Sequence, residues 1–489
     1  MRPSSLTLQR LLTAIIFIAI FTMAVRVPVD SDSWWHLQSG RWMVENRSIP
    51  HTDPFSHTRY GQPWIDHGWL AQIVLYLVFD AGSYAGLALL IAALVTAAFT
   101  FIWLQVQDEN RWLRAFVLII AATTSGVIWA ARPQMFSFVM TAATAYLLDR
   151  YKQGDRKAIW WMPVLMLVWV NTHGGFAVGF ILIVAYLFGE LGNQILRNDG
   201  MAWRDMGRLA LVIGVCLLVI PINPNGVQMW GYPFRTVGIG VLQDFIEEWR
   251  TPDFHLLHLH PFIWLLMAAL TSLGLSGRRA DFTDLTLVAL FTYMSLLAGR
   301  NVALFALVSA PVIIRHGGTA LDRWSERTGR AERITVRVRP RGPLFTILNW
   351  VLLGLLVVAA LVKISQPISP AVNEEAQAET LPVEAIAFLE KEGPPGPIFN
   401  SYNWGGYLIW KLPEYPVFVD GRTDLYDDAF LREYLSIIYA KDGWEEALDS
   451  HGINLVLIET QSMVGRLLEG RPGWEQVFQD EMATVFVRE

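Results

Sequence analysis

The chain has 489 residues, 53% of them hydrophobic and only 17% charged, with a mean hydropathy of +0.35. A soluble protein of this size carries about 25% charged residues, so the composition excludes a soluble enzyme and indicates a polytopic membrane protein. The net charge of −6 decides little, because the two sides of a membrane count separately, and no nucleic-acid partner is expected.

The apolar run after "MRPSSLTLQR" has no small-residue cleavage pattern before "VDSDSWWH" and reads as a retained first helix. Charge-poor runs near the length of a membrane crossing predict eleven spans, near 11–29, 84–106, 112–129, 134–149, 159–172, 174–195, 208–222, 261–276, 284–299, 301–315 and 343–363. The basic connections are Arg111/Arg114, Arg150 through Lys157, Arg197/Arg204/Arg208, Arg278-Arg279 and the arginine-rich stretch 315–341. Placing them all in the cytoplasm satisfies the positive-inside rule and makes an integral plasma (inner) membrane protein with its N-terminus inside and its C-terminal tail outside. The segment 67–82 is apolar but short, and as a crossing it would invert every later loop. It is expected to be an interfacial or re-entrant helix. The single cysteine, Cys216, lies in an apolar run, which rules out an internal disulfide and thiol-based metal sites.

This topology places the polar junctions "DSDSWWH", "IDHGW", "AARPQMF", "WVNTHGGF", "PINPNG", the loop 230–260 and "AGRNVALF" on the outer face, together with every histidine except His316. Polar groups at membrane depth are costly and usually face a cavity or a pathway. The predicted organisation is a transmembrane domain over 1–365 with a first outer loop at 30–82, a polar linker over 366–380, and an extracytoplasmic α/β domain over 381–489. In that domain "GPIFN", "YPVFVDG", "INLVLIE" and "ATVFVRE" read as strands and "NWGGYLIWKL" as a helix.

In "VDSDSWWH", Asp30, Ser31 and Asp32 each suit a helix N-cap, and Trp34 and Trp35 suit the interface. Capping leaves His36 unexplained, and also the long loop with "HTDPFSHT", "GQPW" and "DHGW". In an extended segment residues i and i+2 face one way, so Asp30 and Asp32 converge. Such a pair suits a hydrated divalent cation (Mg²⁺ or Mn²⁺) or a base acting on an acceptor hydroxyl.

An acid, an aromatic pair and a histidine just after the first membrane helix, followed by a loop rich in aromatics, resembles the first external loop of GT-C membrane glycosyltransferases. The likeness is strongest to oligosaccharyltransferase catalytic subunits, and looser to protein O-mannosyltransferases and lipid A aminoarabinose transferases. The resemblance implies a polytopic all-α membrane bundle with an extracytoplasmic α/β domain. It implies transfer of a sugar or glycan from a polyprenyl-phosphate donor to an extracytoplasmic protein, lipid or glycan. By the same match Asp32 takes the catalytic acid position, with Asp30 as its partner.

Such a donor needs a cation where the leaving group's charge builds up. Arg132 in "AARPQ" and Arg300 in "AGRN" lie at the outer membrane edge against the positive-inside bias, and are the candidate phosphate ligands, with Arg235 behind them. Snorkelling arginines at helix ends are the alternative. His36, Asp66, His67, Asn171 and His173 are further candidates for lining the site, although a hydrogen-bonded helix junction explains Asn171 and His173 equally well. The resemblance adds Glu247 or Glu248, since oligosaccharyltransferases carry a functional acid in a late external loop. "SYNWGGYLIW" is similar to their "WWDYG" region, but Trp404 stands where that motif has its acceptor-reading Asp. Asp420-Gly421-Arg422 is a candidate acceptor contact. A transporter of lipid-linked glycans would place ionisable residues at mid-membrane on inverted repeats, and neither is found in the sequence. A non-catalytic scaffold would leave Asp32, Arg132 and Arg300 without a shared purpose.

Overall fold

The computed structural model describes residues 6–279, 281–328 and 342–489, so part of the arginine-rich stretch lies outside the described residues. Each of the eleven apolar runs is helical. In chain order the helices are α1 (Leu8–Ala24), α2 (Ser31–Asn46), α3 (Trp69–Gln105), α4 (Arg111–Ser125), α5 (Gln134–Lys152), α6 (Met162–Thr172), α7 (Ala177–Arg197) and α8 (Trp203–Val219). Two short helices, α9 (Tyr232–Val237) and α10 (Gly240–Phe245), lead to α11 (His260–Leu275), α12 (Phe282–Leu297), α13 (Val302–Arg327) and α14 (Gly342–Ser365).

Among the described residues six helices are long and apolar enough to cross a membrane: Trp69–Gln105, Arg111–Ile128, Gly174–Arg197, Leu257–Leu275, Gly299–Arg327 and Leu344–Ser365. Leu8–Ala24, Ala158–Thr172 and Phe282–Leu297 are apolar but shorter. Of the other two expected crossings, α5 turns Ser137, Thr141, Thr144 and Asp149 into the protein, which makes it too polar by composition. α8 opens on "WRDMGR". α13 is the buried central helix, whereas α14 lies at the periphery. There Asn349 Nδ2 donates to the Leu6 carbonyl at 2.8 Å, and Lys363 Nζ donates to the Val25 carbonyl.

The segment 67–82 forms the first arm of α3, which breaks at Ser83 (φ 50°, ψ −145°). The arms fold sharply back on each other, since the Val78 carbonyl oxygen lies 2.6 Å from where a Gly86 side chain would begin. α2 packs on the first arm at Gly40, where any side chain would strike the Gln72 carbonyl.

The bundle has two distinct ends. α5 runs about 27 Å from the Arg132-Pro133 corner to Lys152. At the Lys152 end, ion pairs join α5, α7, α12, α13 and the Asp281 cap. Lys152 meets Glu190 and Asp281, Arg315 meets Asp149 (3.1 Å) and Asp284 (3.0 Å), and His316 Nε2 meets Asp284 (3.0 Å). The "AARPQMF", "WVNTHGGF" and "AGRNVALF" junctions gather at the opposite end.

The expected linker is partly helical, as α15 (Pro370–Ala378), because Pro370 presets the first turn and Asn373 Nδ2 donates to the Pro367 and Ser369 carbonyls. α16 (Val383–Glu392), β1 (Ile398–Asn400) and α17 (Tyr402–Lys411) follow. β2 (Leu455–Glu459), β3 (Trp474–Gln479) and β4 (Ala483–Arg488) complete a sheet of order β1-β2-β4-β3, parallel only between β1 and β2. The expected strand "YPVFVDG" is not in this sheet. Val417 pairs instead with the first outer loop, donating to the Phe55 carbonyl (3.1 Å) and accepting from the His57 N–H (3.0 Å). Trp34 and Trp35 of α2 share one apolar core with Tyr407 and Leu408 of α17, so the tail and the bundle pack as a unit.

Candidate active site

α2 begins at Ser31, so Asp30 and Asp32 do not lie on an extended segment as expected. Asp30 is the cap: its Oδ1 accepts the Asp32 N–H at 3.0 Å. Asp32 is therefore free of capping. The two carboxylates converge through Arg132, which the corner before α5 delivers. Arg132 Nε and Nη2 donate to Asp30 Oδ1 and Oδ2 at 2.6 and 2.7 Å, a bidentate pair. Its Nη1 lies 2.9 Å from Asp32 Oδ2 and 3.5 Å from Glu248 Oε2. The other Glu248 oxygen is 3.6 Å from Arg300 Nη1, and the Arg300 guanidinium stacks on Trp249 at 4.5 Å.

Asp32, Arg132, Glu248 and Arg300 all line one cavity of about 360 Å³. Its other walls are His36, His67 and His173, the tail residues Gly421, Thr423 and Asp424, and an apolar side that includes Ile128, Phe138, Ile181 and Leu304. Burial raises the Asp32 carboxyl to about 7; Arg132 pulls it down, while Asp30 and Glu248 push it up. Burial likewise holds His36, His67 and His173 below the usual histidine range, so all three are neutral near pH 7. His173 Nδ1 accepts from the Gly175 N–H (3.0 Å) and lies 2.7 Å from Ser137 Oγ, while His67 Nδ1 accepts from the Gly174 N–H (3.1 Å). These contacts assign the proton to Nε2 in each neutral ring. Tyr232 packs on His67 and donates to Asp424 Oδ2 at 3.3 Å.

The tail closes the cavity over Asp32. A side chain at Gly421 would run into the Asp32 carboxylate. The loop is held down by Arg422, fully buried between Phe55 and Trp64, with Nη1 on Asp53 (2.5 Å) and Nε and Nη2 on Asp420 (2.8 and 2.6 Å). Tyr426 also donates to Asp420 at 2.9 Å.

Several expectations change accordingly. Asp66 does not line the cavity: it is buried, accepts from Gln72 Nε2 (2.9 Å) and so positions the Gln72 amide 3.2 Å from His36 Nδ1. Asn171 is a helix-junction residue, with Oδ1 accepting from Trp69 Nε1 (3.0 Å) and Nδ2 donating to the Leu167 and Ile222 carbonyls. Glu247 points to solvent. Asp420 and Arg422 are consumed by the latch, leaving only Gly421 of that triplet at the cavity. Arg132 is committed to carboxylates, whereas Arg300 makes only the longer approach to Glu248 among the ion pairs of the described residues. Asp53, Tyr232, Trp249 and Asp424 were missed. Asp53 and Asp424 stand in "HTDPF" and "GRTDLY", but each meets its partner only through contacts far apart in sequence.

The donor set does not fit a divalent cation. Both Asp30 oxygens and one Asp32 oxygen are taken by Arg132, and the described residues hold no group of three His, Cys, Asp or Glu arranged for a metal. A divalent ion on the same oxygens would sit about 4 Å from the guanidinium, a repulsion of roughly 8 kcal/mol at an effective dielectric constant of about 20.

No family model and no curated protein matches the chain. Solved structures do. An archaeal oligosaccharyltransferase, AglB from Archaeoglobus fulgidus, in complex with an inhibitory peptide and a dolichol-phosphate, aligns over 92% of this chain and 69% of its own (TM-score 0.57, 12% identity). The same enzyme tethered to an acceptor peptide aligns with a TM-score of 0.62 at 13% identity, over 94% of this chain and 70% of its own. ArnT from Cupriavidus metallidurans bound to undecaprenyl phosphate aligns over 97% of both chains (TM-score 0.51, 14% identity). At such identities the likeness is one of fold, and the chain has the fold of the GT-C membrane glycosyltransferases.

Proposed function

We propose that the protein is a membrane glycosyltransferase that moves a sugar or glycan from a polyprenyl-phosphate donor to an extracytoplasmic acceptor hydroxyl. The observation that carries this reading is the meeting of Asp32, Glu248 and Arg300 around one cavity, although they lie on separate junctions of the chain. The volume is in the range of small-molecule sites, roughly 300–1,000 Å³. The sugar phosphate sits in the polar part, and the polyprenyl chain leaves along the apolar side toward the bilayer.

In the step proposed, the acceptor oxygen forms a bond to sugar C1 as the bond from C1 to the phosphate oxygen breaks. The acceptor proton passes to Asp32, whose carboxyl is poised near neutrality. The lipid phosphate leaves with the bonding electron pair, and Arg300 meets its growing charge. Neutral His67 and His173 supply N–H groups to sugar or phosphate oxygens without adding charge. Direct displacement inverts the configuration at C1. Positive-inside placement of the basic loops supports an outer location for this end of the bundle and for the tail, with the N-terminus cytoplasmic.

The test uses purified full-length protein in nanodiscs with a panel of undecaprenyl-phosphate sugars and envelope acceptors, scored by release of undecaprenyl phosphate. Release that needs acceptor and disappears in Asp32→Asn is the expected result. Undiminished release by Asp32→Asn would sink the assignment.

A further inference from the structure

The arrangement around Arg132 reaches beyond the transfer reaction, although it rests on the same cavity. Three carboxylates, Asp30, Asp32 and Glu248, come within 3.5 Å of a single guanidinium. Three acids so placed need a positive charge among them, and a hydrated divalent cation is the usual provider. Here the chain supplies its own. The Arg132 side chain is less than one-fifth exposed, enters from the rigid corner before α5 and uses Nε, Nη1 and Nη2 on the acids. A guanidinium is charged at every pH the protein meets, and its planar fork fixes Asp30 in two directions where a metal would accept many geometries. The acids also belong to two separate parts of the chain, so the same charge ties α2 to the 247–249 turn.

We infer that Arg132 stands in the seat of a divalent cation, so that the site works with a built-in charge and without a metal ion. Arg132 is then a positioning residue: it holds Asp32 in place and offsets the surrounding acids, while Arg300 is left to the donor phosphate. Asp32 Oδ2 is engaged by the arginine, while Oδ1 lies beneath Gly421.

The experiment is a Mn²⁺ titration followed by electron paramagnetic resonance on the purified full chain, which needs neither donor nor acceptor. Wild type is expected to bind no Mn²⁺ below about 1 mM in a manner that Asp32→Asn abolishes. Arg132→Ala, which empties the seat and leaves three acids facing one another, is expected to gain one Mn²⁺ per chain, lost again in Arg132→Ala with Asp32→Asn. Thermal unfolding and size-exclusion profiles establish that the variant is folded. Asp32-dependent binding of Mn²⁺ to wild type would overturn the inference, and so would a folded Arg132→Ala that binds none. Where transfer is measurable, exhaustive chelation should leave wild-type turnover within twofold, and Arg132→Lys should retain part of it without metal. Loss of wild-type turnover on chelation, restored by Mn²⁺, would refute the built-in cation while leaving the glycosyltransferase assignment standing. An absence of transfer with every donor would instead count against that assignment and leave the Mn²⁺ result to decide the seat.

Discussion

Replacing Asp32 by Asn separates chemistry from architecture, because the structure gives Asp32 no capping duty. The cap is Asp30, and Asp32 contributes only its backbone N–H to it. Asp32→Asn therefore leaves the α2 start intact and removes one ion pair, while Arg132 keeps its bidentate pair with Asp30 and its approach to Glu248. At pH 7 the substitution should be neutral to stabilising, because burial raises the Asp32 carboxyl and its ionised form therefore costs the fold stability there. Turnover should fall on the order of 10²–10⁴-fold, the contribution of a positioned base. The same carboxyl, raised to about 7, predicts two pH dependences. Turnover depends on the ionised form and rises with pH through about 7. Stability runs the other way: the folded state holds its proton more tightly than the unfolded chain, whose carboxyl titrates near 3.8. Wild type should therefore lose stability relative to Asp32→Asn as pH rises from about 4 to 7. Undecaprenyl phosphate release and thermal unfolding in nanodiscs, run across pH 4–8, measure both. An Asp32→Asn protein with wild-type turnover, or a pH–rate profile that is flat between 5 and 8, would refute the base assignment.

Asp30→Asn keeps the cap but breaks the bidentate pair to Arg132, so it should cost about 1.5–3 kcal/mol in thermal unfolding and lower turnover through a displaced Arg132. Arg300→Ala should weaken binding of undecaprenyl phosphate by roughly 10- to 100-fold in a tryptophan-fluorescence titration, for loss of a charge-assisted contact, and leave the unfolding temperature unchanged. Arg422→Ala strands Asp53 and Asp420 without their buried cation and should destabilise the protein by about 3–5 kcal/mol, read as a large drop in unfolding temperature. Cysteine labelling at Ser83 should occur from the outside and at Gln153 from the cytoplasm; the reverse pattern would invert the proposed orientation.

Helices were legible wherever a charge-poor run made them so, and the polar junctions were legible as a set because the positive-inside rule sorted them to one side. The pairing of Asp32 with Arg132 and Arg300 in one cavity follows from that sorting. What escaped was the fine geometry. Asp30 and Asp32 share a face only on an extended chain, whereas the helix starts at Ser31 and uses Asp30 as its cap. Asn171 carried a polar signal for an ordinary reason, since it ties α6 to Trp69 and to the Ile222 carbonyl. β3 was invisible because "WEQVFQ" is a half-exposed edge strand with polar residues along its length. "YPVFVDG" had the pattern of a strand and does pair, but with Phe55 and His57, some 360 residues earlier in the chain, a partner that no local pattern names.

The latch explains why the tail segment resembling the oligosaccharyltransferase motif has a different task here. α17 wedges between α2 and the 417–421 segment, and its two glycines make the fit. A side chain at Gly405 would strike the Val419 carbonyl, and one at Gly406 would come within 2.8 Å of the Ser31 carbonyl. Trp404 faces the core rather than the cavity, so the position that holds an acceptor-reading Asp in that motif is spent on packing. The tail instead reaches the cavity through Gly421, Thr423 and Asp424. Gly421 has to be bare because Asp32 lies directly beneath it. Arg422 is turned away into Asp53 and Asp420, which pins the loop at both its neighbours. Under the transfer proposed above, an acceptor approaching Asp32 would meet a backbone edge, a hydroxyl and a carboxylate engaged by Tyr232, not a pocket built from α17. The first outer loop sets the height of the loop 421–424 over Asp32 through the Asp53–Arg422 pair, and we propose that this loop, rather than α17, faces the acceptor.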